Sequence, residues 1–480
     1  MKRSLAIILI SMVCLLINAF ASEETLITAL RYGSDEDHVR LVFDLSREIP
    51  CTIIREGNPP VFTIEFPETK LKKGIKNKFK FQDNLLDELT LSKTGEGAIQ
   101  VKIKLKYFLP TDNFKVFNLK DPDRLVFDFY RKFDERSVTF ISDGIVWTRM
   151  YQGIEKGVVT VNIVIVDLTK ENITFKAIQA KDNNKSRETT SSMALRTGSI
   201  IAVNGGYYNI SGGPLGVVVI NGKIESTEVK KRPPRSVLGI KYDKKILVDR
   251  VKVQNDRLIS LSGRDWSGVI YAIGAGPTLI SNGNVNITAK EEELGPGGND
   301  VTRRAGHTAI GITEDNKLVF LTVDDRQEPE SLGMSLKEIA DYLLKLGVKE
   351  AINMDGGDST TMVIQGKLVS TTYSPERKIA NSWALYDSNN LVAPYSITVN
   401  QTDYTNLTYS LDITVLDSSG NPVADGTGVR INSSYGIPKP SFTVTKDGKT
   451  SIQFSSMKPG KGSLFITSGT IQEEYYMEFK

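Results

Sequence analysis

The densest run of chemistry-bearing residues is Asp355-Gly356-Gly357-Asp358-Ser359-Thr360, downstream of a second acidic pair, Asp324-Asp325. Carboxylates in this number can stabilise a developing positive charge, activate water or bind a divalent cation, although no motif among them fixes a ligand set. The glycines let the backbone turn tightly and bring amides close to a ligand, and Ser359 and Thr360 add hydroxyls. The elements that must position these groups are legible nearby. Leu318 to Val323 is an apolar run fit for a buried strand that ends at Asp324. Ser335-x-x-Glu338 is a capping box opening a helix whose stripe is Leu336, Ile339, Ala340, Leu343 and Leu344, and Gly347 stops it. A second strand, Ala351 to Met354, runs into Asp355. Strand, helix and strand in this order predict a parallel crossover unit, which brings Asp324 or Asp325 and Asp355 to one carboxyl-terminal edge where ligands bind.

Other motifs surround this unit. Upstream lie Asn204-Gly205-Gly206-Tyr207-Tyr208, Pro214-Leu215-Gly216, Arg235-Ser236-Val237-Leu238-Gly239 and Gly274-Ala275-Gly276-Pro277. Arg303, Arg304 and His307-Thr308-Ala309-Ile310-Gly311 follow, and Glu376-Arg377-Lys378-Ile379-Ala380-Asn381 comes after the acidic turn. In this order, from Ile201 to Tyr386, they resemble the phosphodiester glycosidase family: N-G-G-[FY]-[FY] at Asn204 to Tyr208, P-x-G at Pro214 and Gly216, L-D-G-G-G-S at Met354 to Ser359, and E-R-x-[VI]-x-N at Glu376 to Asn381. Two positions depart from the family pattern. His307 stands where relatives carry an arginine, and Asp358 where they carry a third glycine.

The resemblance implies hydrolysis of a sugar-1-phosphodiester. Breaking the anomeric carbon to oxygen bond leaves positive charge on the sugar and expels phosphate, a good leaving group, so the chemistry needs a carboxylate at the anomeric centre and cations on the phosphate. On that chemistry Asp355 is the expected catalytic carboxylate, with Asp324 or Asp358 as partner; Asp358 could instead cap the amides that follow it. Arg377, with Arg304 or His307, is expected to hold the phosphate, and Asn204 to bond the sugar or orient the nucleophile. Gly205, Gly206, Gly356, Gly357, Ser359 and Asn381 are expected to line the substrate, and Tyr208 or Tyr207 to stack on a sugar.

The flanking sequence sets the context. Met1-Lys2-Arg3, an apolar run from Leu5 to Ile17 and Ala19-Phe20-Ala21 read as an export signal over residues 1–21, too short to span a membrane. Its loss removes two of the 60 basic residues and none of the 57 acidic ones, leaving 58 against 57, a net charge of +1 that points to no nucleic-acid partner. It also removes Cys14, leaving Cys51 without an intramolecular partner. The chain has two histidines, His38 and His307, too few for a multi-histidine zinc site.

The length and the alternating patterns predict a multidomain chain: an N-terminal all-β sandwich (23–134), a central α+β domain with a mixed sheet and the parallel crossover unit (137–390), and a C-terminal all-β immunoglobulin-like sandwich (393–480). Arg40-Leu41-Val42-Phe43-Asp44-Leu45 nearly repeats as Arg124-Leu125-Val126-Phe127-Asp128-Phe129, which suggests two similar halves packed face to face. These segments resemble the AMIN domain of bacterial envelope proteins, which implies binding to peptidoglycan. The stretch from Thr414 to Ile431 is similar to bacterial immunoglobulin-like spacer modules. The expected protein is therefore an extracytoplasmic hydrolase, secreted or envelope-associated, acting on a cell-wall glycan or exopolysaccharide. A non-catalytic polysaccharide-binding scaffold that keeps this fold is the alternative.

Overall fold

The computed structural model describes residues 25–95, 97–229, 232–294, 301–324, 331–371, 375–388 and 393–480. The expected export signal and Asp325 lie outside the described residues. No helix among them is long and apolar enough to cross a membrane.

β-Sheet dominates, in seven sheets. The N-terminal region holds two five-stranded sheets whose inner faces share one core, including Leu41, Phe43, Phe62, Ile64, Val101 and Phe127. Alternation places Leu41 and Phe43 inward with no exposed surface, as the period of two requires. The two near-repeats do not sit in opposite halves. They are neighbours in one sheet, antiparallel, with Leu125 opposite Phe43 and Phe127 opposite Leu41. The same register sets Arg40 against Asp128, joined by two hydrogen bonds of 2.7 Å. The shared sequence therefore encodes a complementary pair of strands rather than a duplicated half.

The central region packs an eight-stranded, a five-stranded and a six-stranded sheet on a common core. The eight-stranded sheet begins with Phe133–Ser142, a strand that spans the boundary expected between the N-terminal and central units. Phe175, from the five-stranded sheet, stacks on Trp383 at 4.5 Å and meets Phe320 of the eight-stranded sheet edge-on at 5.5 Å. The helix Leu336–Lys345 has its capping box: Glu338 N donates to Ser335 Oγ and Ser335 N to Glu338 Oε2. Leu336, Ile339, Ala340 and Leu343 are buried, and Gly347 follows the last turn at φ 81°.

The crossover differs from expectation in one respect. Lys317–Val323 and Val348–Asn353 run in the same direction, but His307–Thr313 lies between them, antiparallel to both. The cause is the tight turn after Thr313, closed by Asn316 N on Thr313 O at 3.1 Å, which folds the two strands into a hairpin; the helix then carries the chain over that hairpin strand. Every strand pairing of this sheet is antiparallel, so the mixed sheet gives way to an antiparallel one. Asp324 and Asp355 still emerge at one edge, but two strand spacings apart, roughly 10 Å.

The C-terminal region is a pair of four-stranded sheets around Ile413, Val429, Phe454 and Ile466. Removing the helix cap by Ser335→Ala should lower stability by about 1 kcal/mol, read as a shift in the urea midpoint with the m-value unchanged.

Candidate active site

The site begins at the end of the buried strand Ile201–Asn204. Asn204 has no exposed surface, and its side chain ties three segments together. Its Oδ1 accepts from Thr308 Oγ1 at 2.5 Å and from Thr361 N at 2.9 Å, while Nδ2 donates to Asp355 O at 2.7 Å. Asn204 is thus occupied within the protein and positions Asp355, the second of the two roles expected of it, rather than bonding a sugar. Burial of its amide among backbone groups leaves it no face for a ligand.

Gly205 and Gly206 follow because nothing larger fits. A Cβ on Gly205 would lie 2.1 Å from Asn381 Oδ1, and one on Gly206 would lie 2.0 Å from Gly274 O. Asn381 fastens this pair: its backbone oxygen accepts from Gly205 N at 2.9 Å and its Oδ1 from Gly206 N at 2.8 Å. Gly205 O in turn accepts from Asp355 N at 3.0 Å, and Gly357 N donates to Gly306 O at 2.9 Å. Gly357 has φ 59°, the left-handed conformation that favours glycine, and Gly356 passes close to the His307 ring. The segments around Asn204, His307, Asp355 and Asn381 thereby meet.

Asp355 carries the shifted carboxyl of this cluster. Burial pushes its carboxyl up to about 6, against the opposing pull of the Ser359 hydroxyl, the Arg377 charge, the Gly356 amide and the Arg235 charge. The two arginines each cover a tyrosine: the Arg235 guanidinium lies 4.7 Å from the Tyr207 ring centre and that of Arg377 5.9 Å from Tyr208. Tyr207 donates to Gly276 O at 2.9 Å, and burial, with the Asp355 charge second, holds its hydroxyl above the ordinary tyrosine range. The Tyr208 hydroxyl and Asn381 Nδ2 are buried without a hydrogen-bond partner, two groups left for a ligand to satisfy.

Three expected residues have other duties. Arg304 pairs with Glu338 and donates to Gly333 O at 2.7 Å, so it braces the helix start; a guanidinium committed to a carboxylate there is not a phosphate clamp. Asp324 accepts from Thr371 N at 3.0 Å and faces a different cavity, with Arg149. Asp358 is half-buried on the turn Gly357–Ser359 and caps none of the amides after it, Thr360 N turning back to Gly357 O instead. Among the described residues no three acidic, histidine or cysteine side chains cluster as a metal site.

Sequence reading passed over two residues. Arg235 stood in a quoted motif but received no role, although the motif leads straight into a buried strand. Glu292, 1% exposed, accepts from Ser236 N at 2.9 Å and Ser236 Oγ at 2.6 Å, and its charge acts on Arg235. Its setting, Lys290-Glu291-Glu292-Glu293, reads as solvated charge and gives no signal. Glu376, by contrast, explains the first letter of its motif: Oε1 accepts from Ser191 N at 2.8 Å at the start of the helix Thr190–Thr197.

Residues 197–386 match the phosphodiester glycosidase family model. The matched segment contains Asn204, Arg235, Asp355, Arg377 and Asn381. Curated proteins similar to part of this chain are N-acetylglucosamine-1-phosphodiester alpha-N-acetylglucosaminidases: the Bos taurus protein is 30% identical over 42% of this chain and 37% of its own length, and the Mus musculus protein 30% identical over 42% and 38%. The chain thus spans well under half the length of these relatives. Solved structures matched by the chain include a hypothetical protein from Synechocystis, 17% identical over 76% of this chain and 81% of that one, TM-score 0.42. Another is the zebrafish enzyme's catalytic domain auto-inhibited by its pro-peptide, 19% identical over 57% and 82%, TM-score 0.40.

Two measurements check this geometry. Because the folded pKa of Asp355 is raised above its unfolded value, the cost of burying its charge is absent below about pH 4 and complete above about pH 6. Asp355→Asn should therefore exceed wild type in stability by roughly 1–3 kcal/mol at pH 8 and match it near pH 4, by denaturant melts at both values. Gly206→Ala forces a methyl against Gly274 O and should destabilise by more than about 2 kcal/mol, lowering the melting temperature by several degrees.

Proposed function

We propose that the chain is an exported glycosyl phosphodiester hydrolase that cleaves a sugar-1-phosphodiester of the N-acetylglucosamine-1-phosphodiester type in a cell-wall or extracellular polysaccharide. The observation that carries this reading is the half-buried, desolvated Asp355 carboxyl flanked by the charges of Arg235 and Arg377. An anionic diester can place its phosphate against the guanidiniums while its anomeric carbon faces the carboxylate. Phosphate leaves without strong acid assistance, so the useful form of Asp355 is the ionised one, which stabilises or attacks the oxocarbenium-like centre or activates water. Tyr208 and Asn381 offer the unpartnered groups that sugar hydroxyls or the acetamido group would meet. The names of the curated relatives support the substrate class. The apolar N-terminal run, the AMIN-like strands and the immunoglobulin-like C-terminal region support an envelope or secreted setting, with peptidoglycan as the partner of the N-terminal region.

The test is release of N-acetylglucosamine from small N-acetylglucosamine-1-phosphodiesters. Asp355→Asn should lower kcat at least about a thousandfold with folding intact. For wild type, kcat/KM should rise with pH through a midpoint near 6, where Asp355 ionises. The kcat midpoint should lie higher, because the bound phosphate's charge opposes ionisation. Equal turnover by Asp355→Asn, or a rate that falls as pH rises through 6, would overturn the assignment.

A further inference from the structure

Away from Asp355, the three regions of the chain enclose a cavity of about 340 Å³. Its walls include Asn58 and Phe108 from the N-terminal region, Arg149 and Asp324 from the central one, and Arg430 and Gln472 from the C-terminal one. The junction is a built one. Arg430 Nη1 donates to Glu135 Oε2 at 2.6 Å, Thr111 and Ser441 hydroxyls lie 3.3 Å apart, and Lys367 Nζ donates to Thr470 O at 2.7 Å. Gly428 approaches so closely that a Cβ there would lie 2.3 Å from Ser137 Oγ.

Two guanidiniums at this cavity have donors left unmet. Arg149 sits mid-strand between Ser137 and Asn162 on its neighbours, enclosed by protein yet wetted by the cavity, and no described residue accepts a hydrogen bond from its guanidinium. Burial holds it below the ordinary arginine range; the Asp324 charge opposes that shift and the Arg430 charge adds to it. Arg430 lies over the rings of Phe108 and Tyr151, at 6.0 and 5.7 Å, and its Nη2 is buried with no partner. The carboxylates nearby are engaged, Glu135 with Arg430 and Asp324 with Thr371 N. Arginine carries donors only, so what these two guanidiniums lack is an acceptor, best supplied by an oxyanion between them. The rest of the wall, with Thr160, Thr467 and Gln472 beside aromatic rings, suits hydroxyls on an apolar ring face.

We propose that this cavity is a second glycan subsite that takes an acidic sugar residue, its carboxylate on Arg149 and Arg430 and its hydroxyls on the polar walls. None of Asp355, Arg235, Arg377, Tyr207 or Tyr208 lines it, so occupancy is separable from catalysis. A ligand there touches all three regions and holds them together.

Isothermal titration calorimetry on the full chain tests this with tetragalacturonate, neutral chitotetraose and inorganic sulfate as probes. Tetragalacturonate should bind wild type and Asp355→Asn with the same Kd. Arg149→Met should weaken it at least about tenfold while the melting temperature holds or rises. Gln472→Trp, a change at an exposed rim position, should weaken it as well. The proposal fails if wild type does not bind tetragalacturonate, if chitotetraose or sulfate binds as tightly, if Asp355→Asn abolishes binding, or if neither cavity variant changes it.

Discussion

The candidate site depends on one buried amide. Asn204 holds the Asp355 carbonyl with its nitrogen and the Thr308 hydroxyl and Thr361 amide with its oxygen, so a single side chain fixes where three strand ends stand relative to one another. An unmade hydrogen bond at a buried amide costs more than the bond itself returns, and for that reason the arrangement is specified sharply. Gly205 and Gly206 then pass through a gap too narrow for any side chain, between Asn381 and Gly274. The acidic turn is rigid because its frame is backbone, pinned at Asp355 to Gly205 and at Gly357 to Gly306.

On that frame the protein tolerates an expensive charge. Burial disfavours the ionised form of Asp355, while two guanidiniums, a hydroxyl and an amide oppose burial without cancelling it. The arginines are themselves steadied on tyrosine faces, and Arg235 feels the buried Glu292 as well. A carboxyl shifted this far by desolvation beside cations is the kind of perturbed group that clusters at functional sites.

Much of this was legible in the sequence, and the misses have physical causes. The capping box at Ser335 and Glu338, the helix stripe and the glycine stop are local features, and local rules recover them. Asp355 was legible because the strand before it and the glycines after it sit together in sequence. The hairpin strand inserted between Lys317–Val323 and Val348–Asn353 was not, because the crossover rule is silent on which strand occupies the gap. The contacts of Arg304 and Asp324, with Glu338 and Thr371, are set by tertiary packing and were not legible in charge or strand order. Asn204 was found by its motif, yet its work is internal, since sequence does not reveal which way a side chain is spent. Glu292 hides in an acidic run that resembles surface.

Asp355 is a half-buried carboxyl held near pH 6 between desolvation and two arginines. The most direct measurement is the titration of its side-chain carboxyl carbon by NMR in protein labelled at aspartate, assigned by the resonance missing from Asp355→Asn. The account predicts a midpoint near 6 that moves upward in Arg377→Met and in Arg235→Met, as each cation is withdrawn. A midpoint near 4, unmoved by either substitution, would contradict it.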